Sequence, residues 1–533
     1  MNLAEVLAAA LAAFLAAAPV AAYVLDALGL PLSPVVVLIL SVAAAGAAVW
    51  HLRRTAVRGG ADFAGWAAVV VSVFAGLLSL AWPTLLLPGR GPDLTHHLLL
   101  VDYIERAGHL VRDRSLDGAM GEMAHYTPGV HVLAVLAGAW TGTDGFRAFY
   151  PLLAAATALS AGFVYLIARR LLLPNSFAIA AALCLLLPRA YFVGAFTHDS
   201  FLAQAMAAFF CVASWWALIA WERRTYAMAA ALFGLFVTAV FLTWPMWIGP
   251  PLLVFLVLLL RRHTTVRWRV QHLLIVTIPL GLIAALHVTG RFGWLLIART
   301  SGAVVRPSLE VLGSMFPALS LVGIVQAIRA PRSYLTLGFL LAIVLQAITL
   351  WIAAENAGAE TPYMALKMIY LAIYPLAVLV AFGLHASIPR VSPAAPALGW
   401  AAVAMLVITA GLPALTAATT APVVSADLYA AGRWMRANVG ASCADYLVAD
   451  ADTAYWLHLA VLGNPRSSAR TAEVDRYDPN AEVGRWVAGQ GRGYAVADLG
   501  RLPDEVRGRV AVLAQFGSAA VIRRPGAGAC EAP

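Results

Sequence analysis

The feature that most constrains this chain is the recurrence, from Met1 to about Ala418, of uninterrupted apolar blocks, many of them near the ~20 residues that a helix needs to cross a bilayer. Such blocks cannot be the strands of a membrane barrel, which are short and alternate apolar with polar positions. Nor do they belong to a soluble enzyme: 62% of the 533 residues are hydrophobic and 12% charged, where a soluble domain carries about a quarter charged residues. The formal net charge of +9 would suggest a nucleic-acid partner in a soluble protein. Here many arginines stand at the ends of apolar blocks, where membrane orientation accounts for them, and no nucleic-acid partner is read from the charge.

Arginine placement predicts the topology. Arg53, Arg54 and Arg58, then Arg169 and Arg170, Arg223 and Arg224, the group Arg261, Arg262, Arg267 and Arg269, Arg329 and Arg332, and finally Arg390 follow successive blocks. Placing each cluster in the cytoplasm gives 13 spans with the N-terminus inside: near 3–25, 31–51, 64–87, 146–168, 175–194, 200–220, 226–242, 245–260, 271–289, 308–327, 333–353, 364–386 and 396–418. The alanine-rich first segment has no Lys or Arg before its apolar stretch and is followed at once by another block, so it is read as a retained helix and not a cleaved signal.

The segment 127–140 is apolar but too short for this scheme, and as a full span it would invert everything after it. It is read as a half-helix dipping into the outer leaflet within an external loop, 88–145, a backbone arrangement tolerated where protein or a water-filled cavity surrounds it. Residues 1–420 then form a transmembrane catalytic domain, and 421–533 a small extracytoplasmic α/β domain. In the latter, short apolar runs at Tyr446–Ala449, Tyr494–Ala497 and Ala519–Ile522 alternate with helical stretches such as Asp427–Asn438. Cys184 and Cys211 fall within spans and read as packing residues. Cys443 and Cys530 both lie in the external domain, an oxidising setting, and are expected to be bonded to each other, with a pair of free thiols as the alternative.

The outward-facing loops hold the polar chemistry. After the third span comes Gly91-Pro92-Asp93-Leu94-Thr95-His96-His97, then an amphipathic helix through Asp102, Glu105 and Arg106, then His125-Tyr126-Thr127-Pro128-Gly129-Val130-His131. Thr197-His198-Asp199-Ser200 opens a later span, and Glu360-Thr361-Pro362-Tyr363 precedes Lys367 inside an apolar run. Arg291, Arg299 and Arg306 occupy another external segment. Each residue has a plain structural reading beside the functional one: Asp93 as a helix cap, Lys367 as a snorkelling side chain, the aromatics of Trp244-Pro245-Met246-Trp247 as interface anchors. The histidines lack tight ligand spacing, so no cofactor is assigned; a divalent metal and hydrogen bonding to Asp93, Tyr126 or a sugar are the two readings of them.

Asp93 in the first large external loop, the Tyr126-Thr127-Pro128-Gly129 stretch after it and Asp199 opening a later turn resemble the motifs of integral-membrane glycosyltransferases of the GT-C fold. Thr127 stands where that pattern has a proline, and two spans precede the one leading to Asp93. The resemblance implies a polytopic helical membrane enzyme in a bacterial inner (plasma) membrane, taking a sugar from a polyprenyl-phosphate donor to a hydroxyl on a glycan, lipid or protein. It implies catalytic roles for Asp93 and Asp199, phosphate contacts for Lys367, Arg291, Arg299 and Arg306, and substrate contacts for His96, His97, His125, Tyr126, His198 and Tyr363. Two rivals remain at this stage: a transporter or flippase of lipid-linked saccharides, for which matching halves would be the sign, and a membrane scaffold with a partner-binding external domain.

Overall fold

The computed structural model describes residues 1–53, 60–89, 92–111, 116–224, 227–262, 264–290, 302–387, 395–413, 421–528 and 530. The chain separates into two compact units. Met1–Trp82, Thr127–Leu133 and Pro151–Thr419 form the first; Pro83–Tyr126, Ala134–Tyr150 and Thr420–Pro533 form the second.

Among the described residues eight helices are long and apolar enough to cross a bilayer: Leu3–Ala27, Pro34–Arg53, Asp62–Ser79, Gly145–Arg170, Leu202–Arg223, Val266–Val288, Pro331–Asn356 and Tyr363–Ala386. Shorter apolar helices include Asn175–Leu186, Ala227–Thr243, Pro245–Arg261, Met315–Ile328 and Ala397–Gly411, with Gly129–Thr141 over the short segment of the outer loop. Every segment expected to span thus contains helix, but not always an unbroken one. The run 175–194 tightens to a 3-10 turn at Cys184–Leu186 and resumes as the short helices Arg189–Phe192 and Gly194–Thr197; the break falls at Pro188, which has no N–H to continue the ladder and whose own ψ of 60° leaves the helical region. The run 308–327 is divided at Gly313, whose φ of 70° is cheap only for glycine.

Two groups of charges in the first unit are paired, which lowers the cost of taking them out of water. Glu5, 3% exposed, takes Arg170 as its ion-pair partner and accepts from the indole of Trp216 at 3.3 Å. Arg169 meets Asp62 at 2.7 Å, and Asn2 donates to the same carboxylate. The Thr127-Pro128-Gly129 stretch also has a local explanation. The helix Ala227–Thr243 is interrupted before Pro245, and the carbonyl of Thr243 accepts instead from the Thr127 hydroxyl at 3.0 Å. A Cβ on Gly129 would stand 2.6 Å from the Leu242 carbonyl oxygen, so this approach admits only glycine.

In the second unit β1 (Ala444–Leu447), β2 (Tyr494–Asp498), β3 (Ala511–Phe516) and β4 (Ala519–Arg523) form one sheet in the order β1-β2-β4-β3. β1 and β2 are parallel, so their connection must cross over, and it does so through helices that include Pro479–Val487. β4 is antiparallel to both neighbours. Leu447, Trp486, Ala495, Ala497, Leu502, Ala520 and Ile522 make the core. β3 is an exposed edge with an irregularity between Val512 and Ala514, a device that keeps an edge from pairing with other chains. Cys443, just before β1, is joined to Cys530 as a disulfide, with Cα atoms 6.0 Å apart.

His458 is 2% exposed, with the Tyr446 hydroxyl 2.8 Å from Nδ1 and the Thr471 hydroxyl 3.0 Å from Nε2. Burial, helped by the charge of Arg470, lowers its pKa to about 4. An unfolded histidine titrates near 6.5, so between roughly pH 6.5 and 4 the unfolded chain binds more protons and stability falls as the pH falls, by about 3 kcal/mol over the window. The thermal transition of the full chain in detergent should move down by several degrees between pH 7 and pH 4, and His458→Gln should flatten that dependence. An unchanged slope in the variant would place the acid sensitivity elsewhere.

Candidate functional site

In the first unit the polar residues gather around one broken turn. Thr197 ends a short helix, and Ser200 has φ 57°, unusual for a residue with a side chain. The reversal puts Asp199 and Phe201 on either side of it, before the long helix starting at Leu202. Asp199 accepts from the Tyr370 hydroxyl at 2.8 Å through one carboxylate oxygen and faces His198 Nδ1 at 2.8 Å through the other. The Asp199 side chain is 12% exposed and that of His198 77% exposed. This pair leaves His198 Nε2 toward solvent, the arrangement of an imidazole oriented by a carboxylate.

Lys367 lies in the short helix Tyr363–Lys367 and is only 4% exposed. Its ammonium stands 3.8 Å from the ring centre of Phe201, 4.2 Å from Tyr363 and 5.0 Å from Trp244. Tyr363 is one turn before Lys367, so its ring covers the same helix face; Trp244 is presented by the break before Pro245. Ring faces attract a cation electrostatically, and here they hold a buried ammonium in place. Phe201 joins the two features, since its ring also packs edge-on against Tyr370 at 5.4 Å.

The segment carrying Arg306 is fixed at both ends of this cluster. The Val305 carbonyl accepts from the Tyr191 hydroxyl at 3.1 Å, Tyr191 packs against Tyr370 at 4.9 Å, and Gly302 lies against the Tyr363 ring. Arg306 itself is exposed. Arg291 and Arg299 lie outside the described residues. A cavity of about 10 Å³ beside Tyr191 and Tyr370 is also lined by Gln204 and Trp247. That is the size of one water, and the buried Gln204 Oε1 and Trp247 Nε1 have no hydrogen-bond partner among the described residues.

In the second unit Asp93 is exposed and lies in the first turn of the helix Pro92–Ala107. His96 is buried, its Nδ1 2.5 Å from Glu122 and its Nε2 3.0 Å from the Tyr455 hydroxyl. Burial works against ionisation of Glu122, yet the hydrogen bond and charge of His96, with Arg466, hold its pKa down to about 2. His97 is buried edge-on against Tyr126 at 5.2 Å, and His125 Nε2 is 3.4 Å from Asp117. The histidines are therefore dispersed among separate partners. Among the described residues no group of three or more His, Cys, Asp or Glu is arranged to hold a metal ion. Asp102, fully buried, is held by Arg106 at 2.8 Å and Arg436 at 2.6 Å, with Arg433 at 3.8 Å. Gly463, at φ 70°, admits this cluster: a Cβ there would come 2.8 Å from the Asp102 carboxylate. These partners make Asp102 an ionic staple between the helix Pro92–Ala107 and the C-terminal segment.

Sequence reasoning did not single out Tyr370, Tyr191, Gln204 or Phe201 as site residues. A tyrosine three residues after a buried lysine in an apolar run was the available signal for Tyr370, since positions three apart share a helix face. Gln204 was marked only by being an amide in an apolar helix.

No family model and no curated protein matches the sequence. Solved structures do resemble it. ArnT from Cupriavidus metallidurans, in a structure bound to undecaprenyl phosphate, aligns with a TM-score of 0.52 at 16% identity, covering 87% of this chain and 98% of that one. The arabinofuranosyltransferase AftD from Mycobacteria aligns at 0.52 and 15% identity, over 86% of this chain and 39% of its own. The oligosaccharyltransferase of Archaeoglobus fulgidus in the apo form aligns at 0.51 and 13% identity, over 82% and 69%. These likenesses establish the fold: a polytopic α-helical membrane protein of the GT-C type with a small C-terminal sheet domain.

Proposed function

We propose that this chain is an integral-membrane glycosyltransferase that moves a sugar from a polyprenyl-phosphate donor to an acceptor hydroxyl on the extracytoplasmic side of a bacterial inner membrane. The observation that carries the reading is the buried ammonium of Lys367, caged by Phe201, Tyr363 and Trp244 and connected through Phe201 to the Asp199–Tyr370 pair. A fixed cation in a site of low polarity stabilises charge that appears on a departing phosphate far better than it would in water. Proteins with this fold include one solved with undecaprenyl phosphate bound and one that is an arabinofuranosyltransferase.

In the reaction the acceptor oxygen forms a bond to the anomeric carbon as the bond from that carbon to the phosphate oxygen breaks. The acceptor proton passes to the carboxylate of Asp93 as general base. The electron pair leaves on the polyprenyl phosphate, where Lys367 supplies a point charge and Arg306 a bidentate fork; Arg291 and Arg299 are further candidates for that role. Asp199 orients His198 and accepts from the Tyr370 hydroxyl, so these residues and Tyr363 are assigned to holding the sugar; His96, His97, His125 and Tyr126 are further candidates for substrate contact.

Purified protein given a labelled polyprenyl-phosphate sugar should release one polyprenyl phosphate for each glycoside formed. Transbilayer movement of intact donor with no bond broken would instead establish a transporter of lipid-linked saccharides. The orientation, with the N-terminus cytoplasmic and the domain 421–533 outside, is tested by protease added to intact cells with a permeabilised outer membrane. Removal of the segment after Ser425 is the expected result, and its full protection would invert the topology.

A further inference from the structure

We infer that the first unit carries a second ligand site, a phosphate-binding pocket built on Arg223 and Arg332 at the end of the helix Leu202–Arg224 remote from Asp199. The length of that helix, at ~1.5 Å per residue, separates the two sites by roughly 30 Å, so this pocket is no part of the cluster around Lys367.

An open cavity of about 160 Å³ lies between the end of that helix, Leu171 and the segment Pro331–Thr336. That is roughly ten times the ~10–15 Å³ that a single water needs, space for a phosphate group with its ester oxygens. Leu171, Ile219 and Leu335 give it apolar walls, and Glu222, Arg223, Arg332, Tyr334 and Thr336 give it polar ones. Three features point to an anion. Arg223 and Arg332 both line the cavity, and an anion between two guanidiniums converts their mutual repulsion into attraction. Arg332 is exposed and forms no ion pair among the described residues, while Arg223 commits one nitrogen to the Arg170 carbonyl at 2.5 Å. The Thr336 hydroxyl is fully buried in the wall with no hydrogen-bond partner among the described residues, and a phosphate oxygen would accept from it.

The one carboxylate in the lining, Glu222, offsets part of the charge of Arg223, which leaves two guanidiniums against one carboxylate and a net positive lining. Glu222 is hydrogen-bonded by Tyr334, over whose ring Arg261 stacks at 5.2 Å. Basic pockets between helix ends at a membrane surface suit the headgroups of anionic phospholipids. The shared chemistry is a phosphate group held by two guanidiniums and a hydroxyl, supplied by a lipid headgroup or by free phosphate.

The test uses the delipidated full chain in detergent, with phosphatidylglycerol, phosphatidylcholine and inorganic phosphate as separate probes and thermal stabilisation as the readout. Phosphatidylglycerol should stabilise the protein where phosphatidylcholine does not. Arg332→Gln, which leaves the Arg223–Arg170 contact intact, should weaken that effect at least about fivefold, with Arg332→Lys retaining part of it and Thr336→Val losing part of it. Stabilisation by inorganic phosphate beyond that of chloride at equal ionic strength, with the same response to the variants and none to the lipid, would identify the source as a soluble phosphate. Stabilisation by either probe that is identical in the parent, Arg332→Gln and Thr336→Val would overturn the site, as would the absence of stabilisation by both.

Discussion

Replacing Asp93 by Asn is expected to lower sugar transfer by about a hundredfold or more while the protein stays folded. Loss of a general base costs roughly 10²–10⁴ in rate, or about 3–5 kcal/mol of barrier. The structural effect is much smaller. Asp93 is exposed in the first turn of its helix, where a negative charge contributes about 0.3–1 kcal/mol through the helix dipole. A folded Asp93→Asn protein with the parental transfer rate would remove Asp93 from catalysis. The oriented His198–Asp199 pair would then be the base to test, through His198→Ala and Asp199→Asn.

Lys367→Met is expected to weaken binding of the phosphorylated donor by about tenfold to a hundredfold, the range for losing one hydrogen bond to a charged group. Methionine keeps the length of the side chain and its packing against Phe201, Tyr363 and Trp244. It forgoes the cation–π attraction but also removes a buried charge, so the melting temperature should change little. A polyprenol without phosphate separates a specific from a structural effect. Its binding should be the same in parent and variant, and equal losses for both ligands would mean that the aromatic cage had collapsed. Unchanged affinity for the phosphorylated donor would reduce Lys367 to a packing residue.

The helical architecture was legible because each apolar block carries its own signal, independent of what it packs against. Its interruptions were less so. Pro188 and Gly313 stand in runs that read as continuous, and whether such a residue kinks, breaks or merely weakens a helix is decided by its surroundings. Two apolar runs and part of a third were visible as strands in the C-terminal segment, but β3 was missed: its exposed faces give no clear alternation. The site was legible as residue types and not as pairings. Lys367 stood out because charge in an apolar run is expensive, whereas its cage draws on residues 4, 123 and 166 positions away. The Asp199–Tyr370 bond, between residues 171 positions apart, left no periodic trace at all.

The ion pair between Glu5 and Arg170 has a consequence for how the protein is made. The two residues are 165 positions apart, so at ~5–20 residues per second of synthesis the glutamate emerges roughly 10–30 s before its arginine. Through that interval the first helix carries a carboxylate with no Arg170 to neutralise it, and protonation or a stay near the lipid headgroups is its cheapest state. The contact between the first helix and the helix Gly145–Arg170 can therefore form only once the latter has been made, so this ion pair closes by a delayed docking of the N-terminal helix.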